Sequence, residues 1–104
     1  MNKYKIPWHV RQYVKKELMD YKQNKKLLEK CNGETRSLIL VNIRLKQIEN
    51  VLESLNEEDA QAAKIIFIDK YTQGGAEILG LSKAAYYNAM NKIIYLTALE
   101  MELI

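Results

Sequence analysis

The sequence predicts an all-α fold in which a long N-terminal helical hairpin is followed by a C-terminal helix-turn-helix. Apolar residues recur at spacings of three and four along most of the chain, Asn32-Gly33 and Gly80 punctuate that pattern, and Asn56 and Ser82 stand where helices need N-terminal caps. The 104 residues are 48% hydrophobic and 28% charged, with a single proline. This balance suits one globular domain and excludes collagen-like, low-complexity and disordered classes.

The first helix is expected over residues 8–30. Val10, Val14, Leu18, Tyr21 and Leu28 form its apolar stripe, lysines fill the gaps, and Pro7 suits a first turn, where a backbone N–H has no helical partner to lose. Asn32-Gly33 then supplies the left-handed stop that ends helices. A second helix follows over 35–55, with Leu38, Val41, Leu45, Ile48, Leu52 and Leu55 in its stripe and Arg44, Lys46, Glu49 and Glu53 on the other side. Two such helices joined by a short turn bury both stripes against each other. The same stripes also suit a coiled-coil seam.

Asn56 followed by Glu57, Glu58 and Asp59 is an N-cap with three acids in the first turn, where they complement the helix dipole. The third helix that starts there is expected to bury Ala63, Ile66, Phe67 and Tyr71. Its Ile65–Ile68 run also suits a short strand, but the cap and the alanines before it favour helix. Thr72-Gln73-Gly74-Gly75 reads as the next turn. Residues 1–55 thus form the basic hairpin and 56–104 the second part of one compact unit.

Residues 76–92 meet each steric demand of two helices crossing at a sharp turn. Ala76 is the small residue on the first helix, Gly80 can take positive φ, Leu81 plugs the corner and Ser82 caps the second helix. Leu79, Leu81, Tyr86 and Met90 then face inward. Outward lie Lys83, Ala84, Tyr87, Asn88 and Asn91, the face that such a helix lays in the DNA major groove. Asn88 and Asn91 carry the donor and acceptor pair that reads adenine, Ala84 can meet a thymine methyl, and Lys83 and Lys92 can meet phosphate or guanine. Ser82 and Tyr87 are phosphate donors. An ordinary helical hairpin, with its small residues serving packing, accounts for the same pattern.

Net charge is +3, but it is unevenly spread. Residues 1–30 hold nine Lys/Arg against three Asp/Glu, so Lys15, Lys16, Lys22, Lys25 and Lys26 can add phosphate contacts that are blind to sequence, or simply solvate a helix. Beyond Lys92 the chain is apolar on more than one face. Ile94, Ala98 and Met101 can pack on the domain, while Leu96, Leu99 and Leu103 face elsewhere and suit a homodimer seam or a self-buried tail. A two-fold dimer presents two recognition helices to a palindromic site.

Chemistry has little to work with. His9 is the sole histidine, and neither a cysteine nor a serine motif completes a nucleophile and base with it. Cys31 is the one cysteine, which excludes an internal disulfide and a zinc cluster and points to a reducing, cytoplasmic setting. Glu57, Glu58 and Asp59 need no metal to explain them, and no phosphate-binding glycine loop is present. Trp8 with Tyr4 and Tyr13 makes either a stacking surface or a tether for the N-terminus. No stretch is apolar enough to cross a membrane or act as a signal peptide. A protein that is not an enzyme, with no cofactor, no metal and no membrane partner, is expected.

The leucine-rich helix, glycine turn, serine cap and aromatic-bearing second helix of residues 76–92 resemble region four of bacterial sigma factors. With the basic first helix, the long helix Arg36–Leu55 and the acid-capped helix ending in Tyr71, the layout is similar to small phage-encoded late-gene transcription regulators of the RinA and ArpU type. The similarity is specific over residues 51–96. It implies that Ala76 to Ile93 forms a DNA-binding motif, and that double-stranded DNA and RNA polymerase are the partners. The function expected is sequence-specific regulation of phage or prophage late genes. The alternative is a protein-interaction module that binds a host or phage protein through the C-terminal helix.

Overall fold

Side-chain caps at Asn56 and Ser82 set where two of the helices begin, and apolar residues on each long helix turn to the core. The computed structural model describes residues 4–31, 38–70 and 74–104, and all regular structure among them is helical. In chain order these are α1 (Trp8–Met19), α2 (Tyr21–Cys31), α3 (Ile39–Ser54), α4 (Glu57–Ala63, prolonged by a π-helical turn over Lys64–Ile68), α5 (Gly75–Leu79) and α6 (Lys83–Glu100). The expected stop at Asn32-Gly33 and the expected burial of Tyr71 lie outside the described residues.

The single helix expected over 8–30 is divided at Asp20, which sits at φ −88°, ψ −1°. Its backbone N–H still donates to Lys16 O (2.9 Å) and Lys16 Nζ pairs with its carboxylate (3.1 Å), so the chain bends there while staying locally bonded. The bend lets α1 lie along α6 while α2 packs on α3 and on the π-helical end of α4. In α3, Leu45, Ile48 and Val51 are buried. Two contacts tie it to α1 and α6. Arg44 Nε donates to the Tyr13 hydroxyl (3.1 Å) beside the Tyr13 ring, and Asn50 Nδ2 donates to Glu100 Oε1 (3.1 Å).

The third helix starts where the sequence predicts. The Asn56 side chain accepts from the Asp59 N–H (2.8 Å), which satisfies one of the orphan donors of a helix start. The Ile65–Ile68 run is helical, not extended, and widens to a π turn in which Asp69 N–H reaches Lys64 O (2.8 Å). Ile66 and Phe67 are buried inside it. Val14 and Leu18 of α1, Ile48 of α3, Ala62, Ala63, Ile66 and Phe67 of α4, and Met90, Ile93, Ile94 and Ala98 of α6 form one contiguous core with Met101. α6 lies at its centre, packed by α1, α3, α4 and α5.

The C-terminal stripe differs from expectation. α6 ends at Glu100, and Glu102 takes a left-handed φ of 58°. Leu103 N–H thereby returns to Ala98 O (2.9 Å) and Glu102 N–H to Leu99 O (3.0 Å), a Schellman-type closure that folds Leu103 back onto the core. Leu96 is half-buried as well, which leaves Leu99, 43% exposed, as the open member of the expected oligomer set Leu96, Leu99 and Leu103. Among the described residues no helix is long and apolar enough to cross a membrane.

Candidate nucleic-acid interface

The turn between α5 and α6 is built as its residues demand. Gly80 adopts φ +67°, a conformation that costs an L side chain roughly 1–2 kcal/mol. Its N–H donates to Glu77 O (3.1 Å) while Leu81 N–H reaches Ala76 O (2.9 Å), closing α5. Ser82 Oγ then accepts from Ala85 N–H (3.1 Å), so α6 starts with a side-chain cap. Met90 is buried and Leu79, Leu81 and Tyr86 are half-buried, in line with their expected inward side.

Close approach of the two helices rests on Gly75, one position before the half-buried Ala76 that the spacing predicts for this role. Gly75 is buried, and a Cβ built there would stand 2.9 Å from the Tyr86 hydroxyl and 3.0 Å from its ring. Burial, and after it the neighbouring Tyr87, pushes the Tyr86 hydroxyl pKa up. Gly75→Val is expected to cost about 1–3 kcal/mol by overpacking. The loss should shrink when Tyr86→Ala is made as well. Urea melts of the four proteins check this, and equal losses in both backgrounds would remove Tyr86 as the cause.

The first two turns of α6 place Ser82, Lys83, Ala84, Tyr87 and Asn88 in solvent. Tyr87 sets its ring edge-on to Tyr86 at 5.9 Å. Asn91 and Lys92, which were expected on the same open side, are engaged inside the molecule instead. Asn91 Oδ1 accepts from Arg11 Nη1, and Arg11 Nη2 approaches Met90 Sδ (3.8 Å), so α1 covers α6 from this level downward. Lys92 Nζ donates to Asp59 Oδ2 at 2.6 Å. No local pattern reveals either contact, because the partners lie 80 and 33 residues away.

The Asp59 hydrogen bond raises the pKa of Lys92, with Coulombic attraction adding to it. A proton held more tightly in the folded state stabilises fully below the ordinary lysine value of 10.5 and is lost as pH climbs through the raised one. The stability gap between the native protein and Lys92→Met is therefore expected to be at most about 1 kcal/mol, flat through neutral pH, and to close in strong alkali. A gap that closes below pH 9 instead contradicts the assignment.

The basic residues of the N-terminal half fall into distinct settings. Lys22, Lys25 and Lys26 of α2 are exposed, Lys15 is half-buried, and Lys16 is paired with Asp20, whose hydrogen bond raises its pKa. Lys5 and Arg11, not singled out from sequence, line a shallow depression with Tyr4 and Asn91 beside α6. Tyr4 stacks at a tilt on Tyr95 (5.4 Å), so it joins the N-terminus to α6, whereas Trp8 is 74% exposed. Trp8 is thus no tether, because the chain has already been fixed by the ring before it. Among the described residues no group of three or more His, Cys, Asp or Glu is placed to hold a metal.

Between α4 and the start of α6 runs a half-open groove of about 720 Å³. Comparison with protein-family models, with curated proteins and with solved structures finds no significant match to this chain.

Proposed function

We propose that the chain is a sequence-specific DNA-binding regulator that reads the major groove with the first two turns of α6. The observation that supports this best is the open face of Lys83, Ala84, Tyr87 and Asn88, capped by Ser82 and carried on a helix whose lower half is core. Rigid delivery of a few polar side chains is what base-edge reading requires. Asn88 reads a base edge, Ala84 meets a thymine methyl, and Ser82, Lys83 and Tyr87 hold phosphates. Asn91 and Lys92 serve as positioning residues, since each is already engaged.

Affinity must come largely from elsewhere, because Lys83 is the cation on α6 that no carboxylate partners among the described residues. The exposed Lys5, Lys22, Lys25 and Lys26 supply it in this reading. By the resemblance set out above, the genes controlled are late genes of a phage or prophage in the cytoplasm of a bacterial host, and RNA polymerase is a partner.

A second reading, a protein-interaction module, is favoured by a different observation. Ile39, Leu40 and Ile43 of α3 are about half exposed, more open apolar surface than the C-terminal helix offers. Selection of random duplex DNA on the purified protein, with the oligomer mass measured in the same buffer, separates the two. An enriched motif whose binding weakens steeply between about 50 and 200 mM salt is the expected result. A well-folded sample that enriches nothing would turn the function toward protein interaction.

A further inference from the structure

Three of the residues that line the groove between α4 and α6 are small. They are Ala62 of α4 and Ala85 and Ala89 of α6, and Leu79 of α5 and Leu81 of the α5–α6 turn complete the apolar part of the lining. Larger side chains there would fill the space. The volume, about 720 Å³, falls in the range of pockets that hold small organic molecules. The apolar floor sets the character of the occupant's body.

Its charge is set by the rim. Lys92 and Asp59 line the groove but neutralise each other at 2.6 Å. Glu58 also lines it and has no ion-pair partner among the described residues. Gln61 and Asn88 add neutral hydrogen-bonding groups, and Tyr4 joins the lining. The groove therefore combines an apolar lining with a carboxylate, Glu58, that no cation pairs with among the described residues.

We propose that this groove binds a small amphiphilic organic cation, an amine on an aromatic or aliphatic body, with the ammonium on Glu58 and the body over the three alanines. The groove shares Asn88 with the proposed DNA-reading face, but its test uses no DNA, so failure of one reading is distinguishable from failure of the other. A neutral molecule of the same shape loses the ion pair, and a carboxylate is repelled.

The test uses the full chain and three probes of one shape, 4-phenylbutylamine, 4-phenylbutanol and 4-phenylbutanoate, titrated to millimolar concentration while the alanine methyl resonances are followed. The amine is expected to shift Ala62, Ala85 and Ala89 saturably, the alcohol to bind about tenfold more weakly, and the carboxylate not at all. Glu58→Gln should bring the amine down to the alcohol's affinity. Ala85→Leu should abolish all binding while circular dichroism stays native. Equal affinity for amine and alcohol, or an amine that leaves the three methyls unmoved, overturns the proposal. So does a basic amphipathic peptide that shifts these methyls when the amine does not, which would make the groove a peptide site.

Discussion

Phe67→Ala is expected to destabilise the protein by about 3–5 kcal/mol, the range for emptying an aromatic site in a packed core. Phe67 is 1% exposed and sits in the π-helical turn that ends α4, packed in one cluster with α1, α3 and α6. A domain of this size has about 5–15 kcal/mol of total stability, so the variant should give up a large share of it. The π turn sharpens the expectation. Its wider backbone is bonded around Ile66 and Phe67, and the loss of the ring removes the packing that holds the wider turn in place. Urea unfolding checks the figure. A loss below about 1.5 kcal/mol would mean that the site collapses and that the ring is not the keystone of this junction.

Asn88→Ala is expected to weaken binding to the selected DNA sequence by about 1–3 kcal/mol while leaving random DNA unaffected. Asn88 is the exposed amide on the open turns of α6, in contrast to Asn91, whose carbonyl oxygen is taken by Arg11. The contrast supplies an internal control. Asn91→Ala should act through the seating of α1 on α6, so it should change thermal stability and bind all sequences slightly less well. Titration of cognate and scrambled duplexes with both variants tells them apart. Equal losses on both duplexes for Asn88→Ala would place that residue outside base reading.

What could be read from the sequence was what neighbours in the chain decide. The caps at Asn56 and Ser82, the positive φ of Gly80 and the inward positions of Ile66, Phe67 and Met90 each depend on residues within a few positions, and each stands where the spacing predicts. What the spacing does not reach is the pairing of distant residues. Arg11 meeting Asn91, Asp59 meeting Lys92 and Tyr86 crowding Gly75 follow from how helices pack, which periodicity does not specify. Two further differences concern chain direction. The bend at Asp20 and the left-handed Glu102 are made by residues with no marked preference for a turn, so a continuous stripe concealed them. The exposed Trp8 belongs with the first group, since the ring that anchors the N-terminus proved to be Tyr4 on Tyr95.

α6 is at once an exposed edge and the central strut of the molecule, with Lys83, Ala84, Tyr87 and Asn88 in solvent and Ile93, Ile94, Thr97 and Ala98 in the interior. One continuous helix therefore spans two regimes of opening. Amide hydrogens near Tyr87 can exchange with solvent when the first turns fray from the Ser82 cap, while those of Ile93, Ile94 and Ala98 must wait for the whole core to come apart. Contact confined to the first turns should slow the former group directly and the latter only through mass action on the folded state. The boundary between fast and slow exchange along α6 would then mark where the molecule's working surface ends and its scaffold begins.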